Sequence, residues 1–297
     1  AFNSYLIMLI FPVMMIGFMS NIIASATASY GRIRQVLDEP PPGAPGIIRS
    51  DISGDIQFRN VSLTYGEKPV LKNISFSVRA GSNTAIIGPT AAGKSQLLYL
   101  LANLIPPGTG SIELDGISIE KYAREVFHTQ MGFVFQDSVI FNMSLRDNIS
   151  FNDAVTEESL RKAIETAELA DFIGTLPEKL DTIVSERGTS LSGGQKQRIM
   201  LARALAMNPV ILLLDDFTSR VDPNTEKRIL RNLKNNYPGL TLLSVTQKIA
   251  PVRHFDQIIL LMEGEIMASG THHELLERSP EYMQIYSSQR STEHYEL

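Results

Sequence analysis

Residues 88–95 read Gly-Pro-Thr-Ala-Ala-Gly-Lys-Ser, the spacing G-x-x-x-x-G-K-S. No other feature constrains the fold as tightly. A loop of this form wraps phosphate oxygens in backbone N–H groups, and it requires a strand before it and a helix after it. Both are legible here. Asn83 to Ile87 is a short apolar run suited to a strand, and Lys94 to Leu104 has helical spacing. Strand, loop and helix predict an α/β fold built around a phosphate site. Gly88 and Gly93 let the backbone turn its N–H groups inward. The helix start adds the positive end of its dipole. Lys94 brings a full charge to the β and γ phosphates, and Ser95 offers a hydroxyl to Mg²⁺.

A second element agrees with the first. Val210 to Leu214 is an unbroken apolar run ending in Asp215-Asp216. Such a run suits a strand buried on both faces of a parallel sheet. An acid at its C-terminal end sits where these sheets bind ligands. Asp215 is therefore the expected carboxylate for the Mg²⁺ water shell. Phe58 to Tyr65 and Ile74 to Val78 alternate like half-buried strands, with Gly66-Glu67-Lys68-Pro69 as a turn. Glu157 to Leu169 reads as a helix with acids in its first turn, and further helices are expected from His273 to about Gln289.

Composition excludes some classes. The net charge is -5 from 27 basic and 32 acidic residues, with no Lys/Arg-rich run, so nucleic acid is not an expected partner. The chain has no cysteine, which removes disulfides and Cys metal sites. His128, His254, His272, His273 and His294 show no metal-ligand spacing, and His272-His273 reads as the start of a helix.

The first residues stand apart. Leu6 to Met19 is unbroken apolar sequence containing Pro12 and Gly17, and Ile22 to Ala28 continues small and apolar. The stretch approaches the roughly 20 residues a membrane helix needs. Basic residues appear only after it, at Arg32, Arg34 and Arg49, which places the C-terminal side in the cytoplasm. A signal peptide would want a basic start, and a buried core helix is the other alternative. The preferred reading is the last membrane helix of a longer multi-pass polypeptide, which continues over Ser25 to Leu37 as a polar-faced helix into the cytoplasm. Asp38 to Pro45 is Pro-rich and reads as a linker.

Further motifs name a family. They are Leu191-Ser-Gly-Gly-Gln195 followed by Lys196-Gln197-Arg198, Phe133-Val-Phe-Gln136-Asp137, Leu214-Asp215, and Ser219-Arg-Val-Asp222. Leu145-Arg-Asp-Asn-Ile149 and Ser185-Glu-Arg-Gly188 accompany them. With these, residues 48 to 285 resemble the nucleotide-binding domain of an ATP-binding cassette (ABC) exporter. The resemblance implies a P-loop NTPase cassette with a mixed β core, an antiparallel β subdomain and an α-helical subdomain, preceded by the end of a transmembrane helix. The implied boundaries are 1–38 for the membrane part, 39–47 for a linker and 48–297 for the cassette, whose helical part spans about 138–200.

The resemblance also implies roles. ATP would stack its adenine on Tyr65. Its phosphates would lie on the loop from Gly88 through Thr90, Ala91, Ala92, Gly93, Lys94 and Ser95 to Gln96. Ala91-Ala92 replaces a common Gly-Ser, and Gln96 replaces a frequent Thr, which weakens an α-phosphate contact. Mg²⁺ would be held by Ser95, Asp215 and Gln136, the last also sensing the γ-phosphate. Ser192, with Gly193, Gly194 and Gln195, would contact ATP bound on an opposite subunit. Asp222 would signal across the dimer. Asp137 to Met143 would face the membrane domain, and Glu186 its coupling helices.

Two further positions depart from the family pattern, and these bear on hydrolysis. Asp216 stands where a glutamate aims water at the γ-phosphorus, and Gln247 stands where a histidine clasps that phosphate. Asp216 is shorter by one methylene, roughly 1.5 Å. A misplacement of about 1 Å can cost on the order of 100-fold in rate. Gln247 can donate a hydrogen bond but cannot carry a proton. His254, expected in a helix seven residues on, is a poor substitute. Together the changes resemble the weak site of heterodimeric exporters. They imply a non-identical partner half-transporter that carries the glutamate, in a shared lipid bilayer. The alternatives are a slow homodimeric exporter, a non-hydrolytic ATP-dependent dimerisation module, and a soluble cassette of ribosome or DNA maintenance, against which the apolar head argues.

Overall fold

A computed structural model describes residues 2–38, 46–184 and 191–295. The chain divides into two units, residues 1–44 and 45–297. The first is a single helix, α1 (Phe2–Leu37), with Pro12 inside it and no buried residue. At 1.5 Å per residue it is about 54 Å long, well beyond the roughly 30 Å of a bilayer's hydrocarbon core. Among the described residues it is the one helix long and apolar enough to cross a membrane. Its last turn pairs Arg34 with Asp38 at 2.9 Å.

The second unit opens with the antiparallel hairpin β1 (Ile56–Tyr65) and β2 (Lys68–Val78). Then β3 (Asn83–Ile87) feeds the phosphate loop and α2 (Lys94–Leu101). β4 (Thr109–Leu114) and β5 (Ile117–Ser118) return to the first sheet, followed by α3 (Arg124–Thr129) and β6 (Met131–Val134). A helical stretch comes next: α4 (Leu145–Ile149), α5 (Glu157–Thr166), α6 (Ala170–Gly174) and α7 (Gly193–Ala206). The chain then alternates through β7 (Ile211–Asp215), α8 (Pro223–Asn236), β8 (Thr241–Thr246), β9 (Gln257–Met262) and β10 (Glu265–Gly270). It ends in α9 (His272–Arg278) and α10 (Pro280–Tyr295).

The strands make two sheets. One is antiparallel, ordered β2-β1-β4-β5; the other is mixed, ordered β10-β9-β3-β8-β7-β6. In the mixed sheet β9 through β6 run parallel and β10 pairs antiparallel on the edge. Alternation along each strand splits the core. Leu212 and Leu214 join the helices of one layer, while Ile211 and Leu213 face α2 and the antiparallel sheet on the other. Every residue of β7 and β8 is buried, which is why their sequence shows no polar alternation.

Several boundaries differ from the sequence reading, each for a local reason. The hairpin turn is only Gly66-Glu67, because Tyr65 already pairs with Lys68 and Gly66 takes φ 59. α2 stops at Leu101, just before Asn103 enters the left-handed region at φ 53. α5 stops at Thr166, before Glu168 does the same at φ 56. His254 lies in a turn rather than a helix. The C-terminal helices start one residue earlier, at His272, and run on to Tyr295, broken at Ser279 where Pro280 starts the second.

Candidate functional site

Three adjacent strands end at one edge. β3 delivers the phosphate loop, β8 delivers Gln247, and β7 delivers Asp215 and Asp216, with Ile87 opposite Thr246 and Asp215 opposite Val245. Within the loop, the glycines are compelled by packing as well as by ligand approach. A Cβ on Gly88 would fall 2.0 Å from the Leu261 carbonyl oxygen, and one on Gly93 would fall 2.8 Å from Leu71 Cδ2. Gly93 has φ 96, a left-handed backbone that an L side chain resists. Ala91 holds φ 64 despite its methyl group.

Lys94 is buried, and its Nζ donates to the carbonyls of Gly88 at 2.9 Å and Pro89 at 2.7 Å. Burial lowers its pKa, and Asp216 and Asp215 partly restore it. Ser95 Oγ donates to Asp215 Oδ1 at 2.8 Å. The other Asp215 oxygen, Oδ2, is buried without a hydrogen-bond partner among the described residues. Burial raises the pKa of Asp215, against the Ser95 hydrogen bond and the Lys94 charge. An orphaned carboxylate oxygen beside a serine hydroxyl is a hard-oxygen donor set that fits Mg²⁺. Ser95 and Asp215 would hold the ion, which when bound neutralises charge on the β and γ phosphates.

Asp216 follows in the left-handed region, at φ 47 and ψ 36. Its N–H donates to the Val245 carbonyl at 3.0 Å. Its pKa is raised by burial and pulled back by Lys94 and Lys248. Gln247 is exposed, and its Nε2 donates to Thr90 Oγ1 at 3.4 Å. Thr90, Ala91, Gly93, Lys94, Ser95, Gln96, Gln136, Asp215, Asp216 and Gln247 all line one open cleft of about 760 Å³, and Tyr65 lines its rim. Tyr65 is 51% exposed, and its hydroxyl donates to Gln96 Oε1 at 2.8 Å. Gln96 thus has a partner in the aromatic side chain. Gly88 and Ala92 belong to the loop but lie behind the cleft wall.

Ser192 to Gln195 are not brought to this cleft. They form the start of α7, where Ser192 Oγ accepts from Gln195 N–H and Gln195 Oε1 accepts from Ser192 N–H. A Cβ on Gly194 would sit 2.8 Å from the Arg220 carbonyl oxygen, so the turn after Asp216 packs directly on this helix start. Asp222 caps α8, accepting from Thr225 N–H at 3.0 Å, and that bond lowers its pKa. His254 does not line the cleft. Glu186 and the rest of 185–190, like the linker residues 39–45, lie outside the described residues. No His, Asp or Glu cluster suited to a metal occurs among the described residues.

Three residues support the site from behind: Gln197 and Asn148, which the sequence reading held only as motif members without a role, and Arg203, which it did not single out. Gln197 is fully buried on α7, and its Nε2 donates to the Gln136 carbonyl at 2.9 Å. Arg203, also on α7, donates to the carbonyls of Asn148 at 2.6 Å and Val139 at 3.1 Å. Its guanidinium lies 5.4 Å from the rings of both Phe141 and Phe151. Burial without a carboxylate lowers its pKa to about 10. Asn148, itself buried, bonds the carbonyls of Phe141 and Ser144 at 3.0 Å. Gln197, Met200, Leu201 and Leu205 share one buried face of α7, so a glutamine inside an apolar stripe was the available signal.

A strand–loop–helix phosphate cradle, with a buried acid on a nearby parallel strand, defines a P-loop nucleotide-binding protein. The sequence profile of the ABC transporter family matches residues 71–219, half of the chain, and the chain belongs to this family. It is 38% identical over 296 residues to the ABC transporter ATP-binding protein YknU of Bacillus subtilis, covering 97% of this chain and 50% of that protein. It is 35% identical over 297 residues to an ATP-dependent lipid A-core flippase of Syntrophus aciditrophicus, covering 97% and 49%. The structure of a bacterial Atm1-family ABC exporter with ATP bound superposes with a TM-score of 0.81 at 34% identity, covering 97% of this chain and 51% of that one. The chain spans about half the length of these relatives.

Proposed function

We propose that this chain is the ATP-binding portion of an ABC exporter and that its own site stores ATP more than it hydrolyses it. In this reading residues 1–38 end a multi-pass membrane domain, and the cassette lies on the cytoplasmic side. The observation that carries the storage role is the pairing of a complete cradle with two altered chemical groups. Lys94 bonded to the loop and Ser95 bonded to Asp215 support phosphate and Mg²⁺ binding here, whereas Asp216 and Gln247 line the same cleft in place of the family's glutamate and histidine.

Binding and cutting then separate by residue. The N–H groups of the loop and the Lys94 ammonium hold the triphosphate, and Tyr65 offers its ring to adenine. Asp216 can accept a proton from water, but its carboxylate reaches a methylene less far than glutamate. Gln247 can donate one neutral hydrogen bond to the γ-phosphate. Ser192 and its neighbours, turned away from this cleft, are free to complete the site of a non-identical partner half. ATP kept here stabilises the closed pair by mass action.

The test is the fate of bound nucleotide. The full-length protein with its partner is loaded with Mg-ATP, stripped of free nucleotide and sampled over minutes. About one unhydrolysed ATP retained per pair of cassettes supports the reading; rapid conversion of all bound ATP to ADP refutes it. Asp216→Glu with Gln247→His should raise turnover at least several-fold.

A further inference from the structure

We infer that Gln289, on the C-terminal helix α10, is a positioning residue for the nucleotide site, acting through the backbone of Gln247. This rests on the reading of Gln247 as the residue that meets the γ-phosphate. The Gln289 side chain grips the turn after β8 at two points. Its Nε2 donates to the Gln247 carbonyl at 2.7 Å, and its Oε1 accepts from Ile249 N–H at 2.9 Å. Gln247 in turn reaches Thr90 of the phosphate loop. A continuous path therefore runs from α10 to the cradle, made of hydrogen bonds through one residue.

The chemistry of the grip is selective. One donor and one acceptor, held in a plane, must meet a carbonyl and an N–H two residues apart. A primary amide supplies both; a carboxylate lacks the donor and an ammonium lacks the acceptor. The end of the lever is firmly seated. Tyr282 is fully buried, and its hydroxyl lies 2.6 Å from His272 Nδ1. Tyr286 meets the His272 ring edge-on at 5.1 Å between centroids. Ile285 and Tyr286 pack against the core, and Gln289 lies on the same face, seven residues after Tyr282. Burial raises the pKa of the Tyr282 hydroxyl and lowers that of His272, so burial favours the neutral form of both partners. In the turn itself, Lys248 N–H is bonded internally to Thr246 Oγ1 at 3.1 Å, which leaves the Gln247 carbonyl and the Ile249 N–H to the helix.

The experiment uses the full-length protein with its partner half. Labelled ATP is bound with Mg²⁺, cross-linked samples identify which chain holds it, and release from this chain is timed. Gln289→Ala and Gln289→Glu should each speed release by about three- to tenfold, the loss of one or two ordinary hydrogen bonds. Gln247→Ala should do the same, and adding Gln289→Ala to it should have no further effect. Hydrogen exchange at the Ile249 amide should rise in Gln289→Ala and stay protected in Gln247→Ala. Unchanged release in Gln289→Ala, or effects of the two changes that multiply, would overturn the inference. If the unaltered site instead converts its ATP to ADP within one turnover, the storage reading fails. The same double-mutant comparison, read in that hydrolysis rate, then decides the role of Gln289 separately.

Discussion

Glu226 should make the nucleotide-binding unit lose stability as pH rises, and Glu226→Gln should abolish that loss. The side chain lies in the first turn of α8, 4% exposed, with Oε1 buried and unbonded among the described residues. Burial pushes its pKa from 4.5 up to about 7, against the pull of Lys248. A helix N-terminus favours a carboxylate by about 0.3–1 kcal/mol, so desolvation is the larger effect here. The sign follows from proton binding. Between pH 4.5 and 7 the folded form holds a proton that the unfolded form has released, so stability falls across that window. At about 1.4 kcal/mol per pH unit, the fall is at most about 3 kcal/mol and is complete above pH 7. Glutamine keeps the volume and cannot ionise. Thermal unfolding of residues 45–297 without nucleotide, followed at pH 5 and pH 8.5, reads the difference. The advantage of Glu226→Gln should grow by up to about 6–12 °C between the two, at roughly 2–4 °C per kcal/mol for a unit of this size. Parallel pH curves for the two proteins would refute the reasoning.

Four further variants have expected outcomes around the cleft. Ala91→Gly relieves a methyl group from a φ of 64 and should stabilise the unit by up to about 1 kcal/mol, whereas Gly88→Ala drives a Cβ into the Leu261 carbonyl and should abolish ATP binding; melting curves and nucleotide titrations check both. Tyr65→Phe keeps the ring but loses the bond to Gln96, so ATP affinity should fall no more than about fivefold, the value of one hydrogen bond, while Tyr65→Ala should cost distinctly more in the same titration.

How much was legible before the structure depended on where each interaction partner lies. The octet at 88–95 carries its own context, because strand, loop and helix are contiguous, and Asp215 is marked by the apolar strand it ends. Tyr65 joined them through the resemblance, and the structure sets it on the rim of the same cleft. The pairing of Tyr65 with Gln96 joins residues 31 apart, and that of Gln289 with Gln247 joins residues 42 apart. Periodicity reveals which face of a helix is inward but not what it meets. Gln197 and Gln289 both occupy apolar stripes, which announces an inward-facing amide and leaves its partner unnamed. Helix ends at Leu101 and Thr166 were missed because Asn103 and Glu168 turn left-handed without a glycine to announce it.

The position of β8 between β3 and β7 has an evolutionary consequence. Neighbouring strands lie about 4.8 Å apart and are locked by their hydrogen-bond ladder. The main-chain positions of Gln247 and Asp216 are therefore inherited from the sheet, since each directly follows a laddered strand, at Thr246 and Asp215. Under the proposed roles of Asp216 and Gln247, a lineage can grade the chemistry at this edge by exchanging two side chains, with no remodelling of the sheet. Under the proposed storage role, gene duplicates carrying the same architecture can drift toward retention or toward turnover by exchanges at these two positions, the left-handed φ of 47 at Asp216 weighing on which side chain is tolerated there.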